Sequence, residues 1–196
     1  NFKAAGYSPD QVDLVIVSHF HGDHINGIRD KEGKAVFPNA KITTSDAEWN
    51  YWMDDATMSR APEGMQGGFK GARRVFEPIA KDVERFAAGK EIVPGILSNP
   101  SYGHTPGHNS FIISSGSGKL LVWSDTTNKP ELFVRNPEWQ AVFDMDGAMA
   151  AESRKKLCDM AASERMQVVG YHFPFPATGF IAKEGTGYRF VPNFWS

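Results

Sequence analysis

The sequence predicts a mixed α/β fold, and three observations carry that prediction. Short apolar, β-branched runs bounded by glycine, proline or asparagine alternate with stretches whose apolar residues recur at helical spacing. Side chains of metal-ligand type recur where those runs end: His19, His21, Asp23 and His24 first, then His104, Asp125 and His172. Open α/β sheets gather their chemistry at such strand ends. Finally, 196 residues suffice for one sizeable core and are too few for two comfortable ones, so residues 1–196 are expected to form a single domain.

Composition narrows the function classes. With 21 Lys and Arg against 23 Asp and Glu, no basic block offers a surface for nucleic acid or an anionic membrane. No apolar run approaches the roughly 20 residues of a membrane span. The expected partners are therefore a small-molecule substrate and a second copy of the chain in a homodimer. No leader is legible at the N-terminus; an export signal, and with it a periplasmic location, would lie upstream of Asn1. Cys158 is the single cysteine, which excludes an internal disulfide, and its helical setting makes it a core residue rather than a nucleophile.

Taken in order, residues 1–5 read as the last turn of a helix capped by Gly6. Ser8-Pro9-Asp10 is a turn, and residues 12–18 form a buried strand. Residues 25–29 open a short helix and 30–33 a polar turn. Residues 40–44 form a strand, and Ser45-Asp46-Ala47-Glu48 is a capping box for a helix to about Asp55 that carries Trp49, Tyr51 and Trp52. Residues 56–71, rich in glycine and methionine, are expected to be a loop, mobile around Gly67-Gly68-Phe69-Lys70-Gly71. Residues 72–88 return to helical spacing, with Pro78 predicting a kink or break and Gly89 a stop. Residues 91–97, containing Pro94, form a strand near a sheet edge. Residues 110–114 and 120–124 form a hairpin. A helix over 146–164 turns Met149, Leu157, Met160 and Ala161 inward, a strand over 167–170 follows, and 179–183 with 188–191 make a terminal hairpin.

The densest chemistry lies in His19-Phe20-His21-Gly22-Asp23-His24, which holds three of the chain's 6 histidines. Residues two apart on an extended chain point the same way, so His19 and His21 can reach one ion, while Asp23 and His24 can serve a second. Imidazole with carboxylate suits zinc and its first-row neighbours. Two such ions bind a shared water and bring its pKa toward neutrality, and the resulting hydroxide attacks a carbonyl or phosphoryl centre. No Gly-x-Ser-x-Gly elbow offers a serine alternative.

This His-x-His-x-Asp-His pattern after a buried strand resembles the metallo-β-lactamase superfamily. So does its continuation into Gly103-His104-Thr105-Pro106-Gly107-His108, then Asp125, then His172. The resemblance implies a four-layer αββα sandwich whose first strands precede Asn1. It implies that His19, His21 and His104 hold one divalent ion and Asp23, His24 and His172 the other, with Asp125 bridging. The two ions are expected to be zinc, with manganese, cobalt or iron as substitutes. Asp23 would also steer the hydroxide or protonate the leaving group. His108, without a ligand role in the pattern, is expected to support the site.

Within the superfamily the chain is similar to the methyl parathion hydrolase group. The similarity is carried by Ala4-Ala5-Gly6-Tyr7-Ser8-Pro9-Asp10-Gln11-Val12-Asp13, Glu48-Trp49-Asn50-Tyr51-Trp52, Gly68-Phe69-Lys70-Gly71, Val93-Pro94-Gly95-Ile96, Arg154-Lys155-Lys156 and Gly187-Tyr188-Arg189-Phe190-Val191-Pro192. It implies a hydrolase acting on an ester, lactone or phosphotriester, with Trp52 and Phe69 lining an apolar pocket over the metals. An acyl-homoserine-type lactonase is the neighbouring alternative. A protein that keeps the fold and the metals without turnover is the alternative from a different class.

Overall fold

The structure is a computed structural model and describes residues 1–194. It divides into two compact units, Asn1–Ala87 and the remainder from Ala88 onward.

The first unit is built on a three-stranded parallel sheet ordered β1 (Leu14–Val17), β2 (Lys41–Ser45), β3 (Val83–Phe86). A one-turn helix α1 (Gly22–Ile25) follows β1 closely, and α2 (Asp46–Met53) starts directly from the end of β2. Then come α3 (Asp55–Arg60) and α4 (Glu63–Phe76). Because the strands are parallel, Val17 pairs with Thr44 and Ser45 with Phe86, so the chain leaves β1 and β2 at the same edge. That edge receives the first four candidate ligands. Helix α2 packs on β2 and β3.

The expected mobile loop over 56–71 is instead α3 and most of α4. Met65, Phe69, Ala72, Val75 and Phe76 fall on one helical face, and the last four are buried. Their contacts outweigh the roughly 1 kcal/mol that each interior glycine costs a helix. Trp52 closes over Gly68, where a Cβ would lie 3.1 Å from the indole. The helix expected to run to residue 88 ends at Phe76. A 3₁₀ turn at Glu77–Ile79 accommodates Pro78, and Val83 and Phe86 point inward from a strand. Phe20 stacks on Phe76 with ring centroids 4.1 Å apart, so α4 packs against the residue between the first two histidines.

The second unit holds a seven-stranded sheet ordered β10-β9-β8-β7-β6-β5-β4. These strands are β4 (Glu91–Val93), β5 (Ile96–Pro100), β6 (Asn109–Ser115), β7 (Gly118–Ser124), β8 (Gln167–Gly170), β9 (Thr178–Glu184) and β10 (Gly187–Pro192). The single strand expected over 91–97 is two, folded back at Pro94-Gly95, where Gly95 takes φ 86°. β4 is an edge strand, and Pro94 lies in the turn that ends it. Neighbours pair antiparallel except β7 and β8, which are parallel and connected through α5 (Gly147–Ser163). Parallel pairing sends the ends of β7 and β8 to one edge, and those ends carry Asp125 and His172.

Leu121, Trp123, Leu157, Cys158, Ala161, Val168 and Ile181 form the core between α5 and the sheet. The expectation that Met149 faces inward is corrected: it is 47% exposed in the first turn of α5, where its N–H donates to the Asp146 cap, and the buried face starts with Ala150 and Ala151. Cys158 is buried, and burial pushes its thiol up to about 12. Among the described residues no helix is long and apolar enough to cross a membrane.

Candidate metal centre

In the first unit, β1 delivers His19 fully buried, with its Nδ1 3.0 Å from the Ser18 hydroxyl. His21 keeps an extended backbone and starts α1, so its ring comes back toward His19 at 4.8 Å between centroids. One helical turn later the His24 ring lies 4.1 Å from His19. Asp23 sits on the exposed side of the same turn with Oδ2 3.4 Å from His24 Nε2. The spacing read from the sequence thus brings the His21 and His24 rings against His19 and sets the Asp23 carboxylate beside His24.

A residue that sequence reasoning placed only in a capping box supports this cluster. The Ser45 hydroxyl accepts from the Glu48 N–H at 3.2 Å, as a capping box requires. The Glu48 carboxylate also reaches away from its own helix. It is fully buried, and Oε1 accepts from the Phe20 N–H at 2.8 Å and from the Trp52 indole N–H at 2.7 Å.

In the second unit the ligands come from three separate elements. His104 lies in the turn between β5 and β6, where Gly103 takes φ 119° and sits so close to α5 that a Cβ would fall 2.1 Å from the Ala150 nitrogen. Asp125 follows β7 after Ser124, which takes φ 50°, a region few non-glycine residues enter. His172 follows β8. One oxygen of Asp125, Oδ2, lies 3.4 Å from His104 Nε2 and 3.1 Å from His172 Nε2.

Buried groups hold those atoms in place. Asp144 Oδ1 accepts from His104 Nδ1 at 2.9 Å, which fixes the tautomer whose Nε2 carries the lone pair a metal needs. Asp144 is held in turn by Arg154, whose guanidinium donates to Asp144 at 3.3 Å and to the carbonyls of Thr126, Pro137 and Trp139 at 2.9, 3.0 and 2.6 Å. Burial pushes this guanidinium down from its ordinary value, while the Asp144 charge pulls it back up. His108, expected to be a supporting residue, takes that role: Nδ1 meets the Ser101 carbonyl at 2.9 Å and Nε2 accepts the Asp125 backbone N–H at 3.1 Å.

Each unit therefore brings its own predicted ligands together, and all of them belong to groups of side chains able to hold a metal ion. The donor set fits a divalent first-row ion: imidazoles, of which His19 and His104 are buried and His104 has a defined lone pair, and a carboxylate oxygen set against two of them. Trp52 and Phe69 are both buried, with ring centroids 4.8 Å apart, and Trp52 meets the His21 ring edge-on at 6.2 Å. Glu48, Asp144 and Arg154 were not singled out for these roles, since nothing local marks them.

Comparison with known proteins agrees with this chemistry. Residues 2–172 match the model of the metallo-β-lactamase superfamily. N-acyl homoserine lactonases of Bacillus sp and Bacillus thuringiensis are 26% and 27% identical over 164 residues, which is 83% of this chain and 56% of each lactonase. The chain thus spans little more than half the length of those curated relatives. Among solved structures, the hydrolase AbOPH of the β-lactamase superfamily superposes with a TM-score of 0.92. AidC, a dizinc quorum-quenching lactonase solved with a product, gives 0.91. Each is 28% identical, and the match covers 100% of this chain and 69% of the other. By sequence match, fold and ligand chemistry, this chain belongs to the metallo-β-lactamase superfamily.

Proposed function

We propose that the two units act as one domain carrying the dinuclear centre of a lactone hydrolase, with N-acyl homoserine lactones as the substrate class. The observation that carries this reading is the single oxygen of Asp125 set against His104 and His172, the arrangement expected of a carboxylate that links two ions. In this reading His19, His21 and His104 hold one ion, Asp23, His24 and His172 the other, and Asp125 joins them. Zinc is the first choice, in line with the dizinc relative AidC, and manganese, cobalt or iron suit the same donors.

Bound divalent ions supply Lewis acidity, polarising a carbonyl oxygen and making water a competent nucleophile at neutral pH. The protein's own residues do the rest. Asp23, exposed beside His24, takes a proton from the attacking water and returns it to the alkoxide that leaves as the ring opens. Trp52 and Phe69 supply an apolar wall on the His21 side, suited to an acyl chain.

A second reading, phosphotriester hydrolysis, is supported by the stretches shared with the methyl parathion hydrolase group, among them Gly68-Phe69-Lys70-Gly71 and Val93-Pro94-Gly95-Ile96. One experiment separates the readings. The full-length protein, purified without chelator, is analysed for metal and assayed on N-acyl homoserine lactones, aryl esters and phosphotriesters. Two ions per chain and chelator-sensitive lactone opening as the fastest reaction are expected. Faster phosphotriester turnover favours the second reading. Two bound ions with no turnover on the whole panel would assign the chain to the non-catalytic class.

A further inference from the structure

We propose that Glu48 is a positioning residue: one oxygen of its buried carboxylate clamps the His19–His21 segment to Trp52, and so sets both the metal ligands and the aromatic wall. The inference rests on the metal reading above for its consequence, although the clamp itself is visible without any ion.

The geometry follows from the parallel sheet. β1 and β2 end side by side, and α2 begins with no intervening loop, so the third residue of α2 arrives beside the residues that follow β1. Glu48 occupies that position. A capping glutamate ordinarily reaches back to the N-cap N–H at the protein surface. Glu48 is fully buried, a placement that is costly for a carboxylate unless strong donors meet it. Two do: the Phe20 N–H at 2.8 Å and the Trp52 indole N–H at 2.7 Å, both on Oε1.

Phe20 is the residue between the two histidines. Its ring is locked from the other side, stacked on Phe76 at 4.1 Å and edge-on to Trp49 at 6.3 Å. With its ring and its N–H both fixed, the peptide that joins His19 to Phe20 cannot rotate. Successive side chains of extended backbone point to opposite faces, so a Phe20 held inward presents His19 and His21 together on the other face. Trp52, tied to the same oxygen, keeps its edge on His21. One acceptor atom thereby fixes two ligands and a wall residue relative to one another.

The test uses the full-length protein and Glu48→Leu, Glu48→Gln and wild type, with two readouts. Exchange of the Phe20 amide in metal-free protein reports the clamp. Titration with cobalt(II), followed by its visible spectrum, reports the ligands. Glu48→Gln keeps an acceptor oxygen and should bind both ions within about threefold of wild type. Glu48→Leu should expose the Phe20 amide at least about tenfold and weaken one cobalt site by about 10–100-fold, with altered bands, while the other site stays within a few-fold.

A folded Glu48→Leu protein with wild-type Phe20 protection, or with wild-type cobalt affinity and spectrum, overturns the proposal. So does a Glu48→Gln protein as impaired as Glu48→Leu, since that would assign the effect to charge. Should the leucine variant not fold, Glu48→Asp, one methylene too short to reach Phe20, replaces it under the same criteria. If wild type itself fails to bind two cobalt ions, the metal reading falls, and the Phe20 amide alone judges the clamp.

Discussion

The two halves of the proposed centre are built in opposite ways. In the first unit, His19, His21, Asp23 and His24 come from one turn of chain, and their spacing does most of the positioning. In the second, His104, Asp125 and His172 come from three loops far apart in sequence, and a buried polar frame holds them. That frame comprises Asp144 and Arg154 behind His104, and His108 and Ser101 behind the Asp125 backbone. A contiguous motif needs one clamp, whereas dispersed ligands need a scaffold of charge-assisted hydrogen bonds. The frame is correspondingly exposed to mutation, because each buried polar group that loses its partner costs about 1–3 kcal/mol, and more for a charge.

The largest effect should come from the atom on which the second half converges. Asp125→Asn keeps the side chain's size and removes its charge, and should lower turnover by on the order of 10²–10⁴ while shifting stability by about 1 kcal/mol. Turnover and metal content measured together decide it; a variant with two ions and near-normal turnover would sink the bridging role. Next is the frame itself. Arg154→Met strands Asp144 and the carbonyls of Thr126, Pro137 and Trp139, and should cost about 3–5 kcal/mol in urea unfolding. A loss under about 1 kcal/mol would erase the contrast between scaffolded and contiguous ligands.

Smaller effects probe the first unit's supporting helix. Gly67→Ala meets no atom within 4 Å and should stabilise by about 0.5–1 kcal/mol through helix propensity. Gly68→Ala should gain nothing, because its Cβ would press on Trp52 at 3.1 Å. Equal gains at both positions would mean that Trp52 is not held over α4. The smallest effect concerns Cys158. Its thiol is raised to about 12 in the folded protein, so it stays neutral, and native protein should not react with a chromogenic thiol reagent at pH 8. The sign follows from a folded value above the unfolded one: the stability tied to the neutral thiol is complete below the ordinary cysteine range and declines as pH rises toward 12. Rapid labelling of native protein at pH 8 would contradict this burial.

What could be read from the sequence divides along the same line. His19 to His24 were legible because the chemistry is contiguous, and Asp125 and His172 because each follows an apolar strand. Glu48, Asp144 and Arg154 were not, since the partners that give them these roles lie 28, 40 and 28 positions away. Local pattern carries no trace of such pairings. The misread stretch over 56–71 has a different cause. Its glycines suggested a loop, although Met65, Phe69, Ala72 and Phe76 already stood at steps of four, three and four, the spacing of a helical face. Propensity was weighted above periodicity, and packing on Trp52 and Phe20 overrode it.

The parallel pairing of β7 with β8 has a consequence in time as well as in space. Asp125 and His172 meet across 47 positions, and β8 cannot dock until α5 has been made and folded over the sheet. At about 5–20 residues per second, the ribosome needs about 2–10 s to go from one to the other. The four candidate ligands from His19 to His24 precede Asp125 by about 100 residues and have emerged well before. The proposed centre is therefore assembled late: its contiguous half is synthesised first, and its dispersed half closes only when β8 has docked.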